Sequence, residues 1–266
     1  MIKRVEFFNK GQKLKGDISF RKKAPLIIMC HGFTGNKENR LLRFLSAFLY
    51  KNGYSVFKFD FRGSGESEGE FTGVMEEVSD LKQAMKVARK YGHNIILLGY
   101  SLGASVIALS KLKTRAVIMI NPSFSAEFAA FSFLRRVIPF FLVQKIFRKI
   151  DIFADKTFEN IEAVGRLASR SFRFRLSEES IDESRLLSVR MIKKVHSPLL
   201  LIHGTKDKTI NVNGTRQAFN LAHNPKELFL IEGADHQIHS HKRKTIVAKK
   251  IFGFLNENGF KGIVKT

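Results

Sequence analysis

Short, uninterrupted apolar runs recur along this chain, and they leave few folds open. Leu26-Ile27-Ile28-Met29-Cys30, Ile95-Ile96-Leu97-Leu98, Ala116 to Ile120 and Leu199-Leu200-Leu201-Ile202 each have the length of a strand and no polar alternation. A strand that is apolar on both sides must be covered on both sides, as in a parallel sheet carrying helices on each face. The intervening segments supply such helices. Residues 38–51 place Leu41, Leu42, Leu45, Phe48 and Leu49 at helical spacing, and residues 74–91 do so with Val78, Leu81 and Met85. Tyr54 to Phe59 is a further strand, Ser101 to Lys111 a helix, and Val5 to Phe8 and Leu14 to Phe20 read as strands separated by the turn-prone Asn9-Lys10-Gly11. The pattern predicts an α/β fold: a mostly parallel central sheet flanked by helices.

The rhythm stops at about Ser123 and resumes near Pro198. Residues 128–150 mix Phe131, Phe133, Leu134, Phe140 and Phe141 with Arg135, Arg136 and Lys145. We read 1–122 and 195–266 as the core and 123–194 as an inserted helical cap. After the gap, a helix is expected around Val212 to Ala222, a strand from Leu228 to Ile231, and a helix from about Lys242 to Asn256.

Composition narrows the function classes. The 266 residues carry 46 Lys and Arg against 24 Asp and Glu, a net charge of +22. The charges are scattered, and no nucleic-acid-binding signature accompanies them, so nucleic acid is not the expected partner. The basic, Phe-rich stretch 131–150 suits a weak association with anionic membrane. The single cysteine, Cys30, excludes an internal disulfide and is expected to be buried and inert. The N-terminus has no signal-peptide pattern and no segment is long and apolar enough to span a bilayer, so the expected location is the cytoplasm. Dispersed histidines offer no metal-binding spacing.

The strongest local motif is Gly99-Tyr100-Ser101-Leu102-Gly103. It lies between an apolar strand and a helix, where a sharp turn flanked by small residues pushes the Ser101 hydroxyl out at the sheet edge. The turn also leaves the Leu102 N–H at a helix start, suited to an oxyanion. A serine hydroxyl needs a base. His236, in Gly233-Ala234-Asp235-His236, follows the last strand and is the preferred base over His31, His93, His196, His203, His223, His239 and His241. Asp207, in the loop after the resumed strand, is the preferred acid to orient it, with Asp235 a weaker rival and Asp60 a structural anchor. His31-Gly32-Phe33-Thr34-Gly35 can bring the Phe33 N–H to the same place as a second oxyanion donor. The glycine-rich stretch Asp60 to Ser67 lacks the ending of a phosphate-binding loop and reads as structural.

In that order, the His31 loop, the Asp60 loop, the Ser101 elbow, His203 to Asp207 and Gly233 to His236 resemble the α/β-hydrolases grouped with serine aminopeptidase-like and cinnamoyl (feruloyl) esterase-like proteins. The succession Ser101, Asp207, His236 is the chain order of that superfamily. The resemblance covers residues 1–122 and 195–257. It implies acyl transfer to water through an acyl-enzyme with no cofactor, the triad Ser101, Asp207 and His236, and an oxyanion hole of the Phe33 and Leu102 N–H groups. The expected substrate is a small-molecule ester of a small or medium acyl group. Aminopeptidase or acyl-peptide hydrolase, thioesterase and lipase action are the enzymatic alternatives. A hydrolase-shaped binding or scaffold protein is the non-catalytic one. A peptidase would need an acid for the substrate amine, for which Glu127, Asp151, Asp155, Glu159 and Glu162 stand in the cap.

Overall fold

A computed structural model describes residues 2–124, 163–166, 173–176, 183 and 186–263. An antiparallel hairpin, β1 (Ile2–Asn9) and β2 (Gln12–Ser19), opens the chain and turns through Lys10 and Gly11, both at positive φ. Then follow β3 (Leu26–Cys30), α1 (Arg40–Lys51), β4 (Ser55–Phe59), α2 (Val74–Arg89), β5 (Ile95–Tyr100), α3 (Leu102–Ser110) and β6 (Ala116–Ile120). A short antiparallel pair, β7 (Ala163–Arg166) and β8 (Arg173–Leu176), precedes a 3-10 turn at Val189–Lys194. The chain closes with β9 (Leu199–Gly204), α4 (Val212–Leu221), β10 (Lys226–Ile231) and α5 (His241–Glu257).

The main sheet has the order β1-β2-β4-β3-β5-β6-β9-β10, parallel from β4 onward. This is the mostly parallel, helix-flanked α/β architecture expected from the apolar runs. Each central strand divides its residues by parity. Ile28, Leu97, Met119 and Leu201 join one apolar cluster with Val78, Leu81 and Met85 of α2 and Ala218 of α4. Ile27, Ile96, Ile118 and Leu200 join the other with Leu41, Leu45 and Leu49 of α1 and Val247, Ile251 and Leu255 of α5. Alternation survives in direction even though it is absent from polarity, because both faces are dry.

Helix α3 starts at Leu102, one residue later than the sequence suggested, because Ser101 sits at φ 54, ψ −121 and is outside the helix. Most of the expected cap, including 128–150 and all five candidate acids, lies outside the described residues. Of that span, Phe124, Leu187, Met191 and Ile192 are buried and belong to the core cluster with α2 and α3. Arg173 in β8 ties the short hairpin to the Asp60 loop, donating its N–H to Gly63 O at 2.7 Å and accepting from the Phe71 N–H at 2.9 Å. No described helix is long and apolar enough to cross a membrane.

Candidate active site

The carboxyl ends of β3, β5, β6 and β9 meet at one edge, the customary ligand position in an open α/β sheet. Ser101 occupies the turn from β5 into α3. Its positive φ is disfavoured for a residue with a Cβ, and strain of about 1–3 kcal/mol is typical of such positions. The surroundings hold it there. Its N–H donates to Ile120 O at 2.9 Å, and Gly32 passes so close that a Cβ on it would lie 2.8 Å from the Ser101 Cβ.

His236 follows β10 in the turn that ends the sheet. Its Nε2 is 3.1 Å from Ser101 Oγ and its Nδ1 is 2.7 Å from Asp207 Oδ2. The loop carrying it is clamped from behind: the Asn121 side-chain N–H and the Tyr100 hydroxyl both donate to His236 O, at 2.7 and 3.0 Å. Asn121 also accepts the Gly204 N–H at 2.9 Å, so one amide joins the ends of β6 and β9 to the histidine loop.

Asp207 lies where β9 turns toward α4. Its Oδ1 accepts the N–H groups of Thr209 and Ile210 at 2.7 and 2.8 Å, leaving Oδ2 for histidine. Burial pushes its carboxyl pKa up, but hydrogen bonds from His203 and His236 outweigh this and hold it well below the usual carboxylate range. It is therefore an anion at neutral pH. His203, in the sequence only a less preferred base, is a second partner of Asp207. Its Nε2 is 3.3 Å from Asp207 Oδ2 and 3.1 Å from Ile210 O, so it is the donor there, and Nδ1 accepts from Thr215 Oγ1 at 2.6 Å. The spacing of His203 and Asp207, four residues apart around a tight turn, was the signal in the sequence.

The rivals go elsewhere. Asp235 Oδ2 is 2.6 Å from His239 Nδ1 at the surface. Asp60 is buried, accepts the backbone N–H groups of Lys37 and Glu66, and pairs with the Lys37 ammonium, which anchors the glycine-rich loop. His31 is buried, accepts the Phe61 N–H on Nε2, and is held below its usual pKa chiefly by burial. Cys30 is fully buried, and desolvation raises its thiol pKa well above the ordinary value, which keeps it a neutral thiol.

A cavity of about 260 Å³ opens over these groups, lined by Gly32, Phe33, Ser101, Leu102, Ile210 and His236 among others. The Leu102 N–H, first in α3, has no acceptor within the helix. Among the described residues no set of three His, Cys, Asp or Glu side chains is arranged to hold a metal ion.

Comparison with known proteins bears on the family and the fold. Residues 21–243 match the family described as serine aminopeptidase, S33. The YfhR protein of Escherichia coli O157:H7 is 26% identical over 221 residues, covering 79% of this chain, and the chain spans 62% of that relative's length. Est1E of Butyrivibrio proteoclasticus, solved with ferulic acid, superimposes with a TM-score of 0.74 at 21% identity, covering 96% of this chain and 98% of its own. The esterase domain of a Rhodothermus marinus protein gives a TM-score of 0.68 at 22% identity, covering 97% and 98%. The chain belongs to the serine aminopeptidase S33 family of α/β-hydrolases.

Proposed function

We propose that this protein is a serine hydrolase that cleaves a carboxylic ester of a small or medium acyl group through an acyl-enzyme. The observation that carries the reading is a continuous relay: Asp207 Oδ2 to His236 Nδ1 at 2.7 Å, and His236 Nε2 to Ser101 Oγ at 3.1 Å. Ser101 Oγ attacks the acyl carbon as its proton passes to His236 Nε2, and the anion of Asp207 stabilises the resulting imidazolium. The carbonyl oxygen becomes an oxyanion facing the Phe33 and Leu102 N–H groups. Collapse breaks the ester C–O bond, and His236 returns the proton to the leaving alkoxide. Water then repeats the sequence on the acyl-enzyme, releasing the acid and restoring Ser101.

The cavity over Ser101, at about 260 Å³, suits a compact acyl group. The Rhodothermus domain, named as an esterase, supports ester cleavage. The family description favours a second reading, in which the same relay cleaves an aminoacyl amide. Fluorophosphonate labelling tests the nucleophile: wild type is labelled and Ser101→Ala is not. A p-nitrophenyl ester chain-length series run beside aminoacyl-anilides separates the two readings. Esters turned over far faster than anilides support the first, and the reverse order replaces it with the second.

A further inference from the structure

From the edge of the sheet opposite Ser101, we infer that this protein docks on an anionic phospholipid surface. Every loop that enters the parallel strands lies on that edge. Backbone hydrogen bonds stitch the loops side by side: Ser55 N–H to Pro25 O, Leu26 N–H to Asn94 O, Arg115 N–H to Ile95 O, Val117 N–H to Pro198 O and Leu199 N–H to Pro225 O, all between 2.8 and 3.0 Å. Residues 20–25, 51–54, 89–94, 111–115, 193–198 and 222–225, which lead into the strands at this edge, contain no Asp or Glu. They contain basic runs instead, Arg21-Lys22-Lys23 before β3, Arg89-Lys90 before β5 and Lys193-Lys194 before β9. At the active-site edge, by contrast, Asp60, Glu66, Asp207, Glu232 and Asp235 stand among the basic residues.

The cations of this edge also differ in their pairing. Elsewhere Lys10, Lys37, Lys58, Arg62 and Lys250 each pair with a carboxylate. Among the described residues, no carboxylate pairs with a lysine or arginine of the edge segments. A cleft of about 900 Å³ sits among them, lined by Lys111, Lys113, Arg115, Lys193, Lys194 and His196, with Leu112, Pro198 and Phe260 as its apolar wall. Cations converging on a concavity concentrate a positive field there.

Two exposed apolar side chains select the partner. Phe20, 39% exposed, leads into β3, and Ile263, 43% exposed, is fastened to the same edge by its N–H to Gly53 O at 2.8 Å. Large apolar groups interspersed with lysine and arginine match a headgroup layer, which offers phosphate above and acyl chain below. A nucleic-acid backbone offers Ile263 nothing. Strand length, roughly 17–20 Å, separates this edge from the catalytic one, so a docked molecule keeps the Ser101 cavity facing away from the bilayer.

The test is flotation with vesicles of phosphatidylcholine containing about 30% phosphatidylglycerol, where each basic residue near the surface contributes roughly fivefold to partitioning. Wild type floats with these vesicles, does not float with pure phosphatidylcholine, and is released by salt. Replacing Lys111, Lys113, Arg115, Lys193 and Lys194 by Gln lowers the partition coefficient at least about tenfold. A charge-matched control, with Gln at Lys82, Lys86, Lys242, Lys244 and Lys249 on α2 and α5, lowers it by less than about twofold. Hydrolysis of a soluble ester and the Tm stay at wild-type values in both variants, which shows that the variants are folded. Failure of wild type to float overturns the inference. So does an equal loss in both variants, which would assign the binding to net charge alone. Displacement from vesicles by tripolyphosphate or structured RNA at concentrations below that of the anionic lipid overturns it in favour of those ligands.

Discussion

His203 Nε2 lies 3.3 Å from Asp207 Oδ2, the same oxygen that receives His236 Nδ1 at 2.7 Å. One imidazole from β9 and one from the turn after β10 therefore share one carboxylate oxygen, while the other oxygen is filled by backbone N–H groups of the Asp207 turn. The acid is saturated with donors and has no freedom to rotate.

His203→Leu removes a donor from that oxygen and leaves the Thr215 hydroxyl and Ile210 carbonyl without their partner. The expected result is a loss of about 1–3 kcal/mol in stability from the stranded polar groups. It also lowers kcat by about tenfold as Asp207 loosens. His203→Gln, which retains a donor, should recover most of the kcat loss. Denaturant unfolding and steady-state kinetics on a p-nitrophenyl ester check both expectations.

Asp207→Asn should lower kcat by roughly 10³–10⁴, since the amide cannot stabilise the imidazolium. Its effect on stability depends on pH with a definite sign. The carboxyl is held below its unfolded value, so its ionised form stabilises the fold above the ordinary aspartate range of about 3.9, and that contribution fades as pH falls below it. The Tm gap between wild type and Asp207→Asn should be widest near neutrality and narrow on acidification through that range. A gap that is constant with pH would contradict the buried-anion description.

Glu77 gives the opposite sign. It is buried beside Asp80, Arg62 is already held by Asp80 and Glu76, and among the described residues its Oε2 has no hydrogen-bond partner. Burial first, and then Asp80, push its carboxyl well above the usual value. The folded state therefore keeps a proton that the unfolded chain loses above about pH 4.3, and stability falls as pH rises from there. Glu77→Gln should raise Tm near neutrality by roughly 2–4 °C per kcal/mol recovered, and match wild type at acidic pH. Differential scanning calorimetry across pH checks this.

Gly32→Ala places a methyl group 2.8 Å from the Ser101 Cβ and 3.2 Å from Tyr100 O. One of two backbone segments must move, and small displacements at a reacting centre are costly, so kcat should fall by about tenfold or more with a much smaller change in Tm. Equal kcat in the two proteins would show that the elbow can yield.

The sheet was legible in the sequence because burial on both faces writes itself locally: a strand such as Ile95 to Leu98 must be apolar at every position whatever its neighbours are. Ser101 was legible for the same reason, since the glycines that permit its turn are its own neighbours. Asp207 and His236 were expected to pair from their loops and chain order, but what holds them together was not legible. That pairing depends on β9 and β10 lying side by side and on Asn121, far away in sequence, holding the His236 carbonyl at 2.7 Å. His203 looked like the polar end of an apolar strand until the turn folded Asp207 back against it. Charge was the least legible feature of all. Lys23, Lys90, Lys113 and Lys194 are spread over the chain, and only the repeated return of each strand–helix unit to the same sheet edge gathers them into one surface.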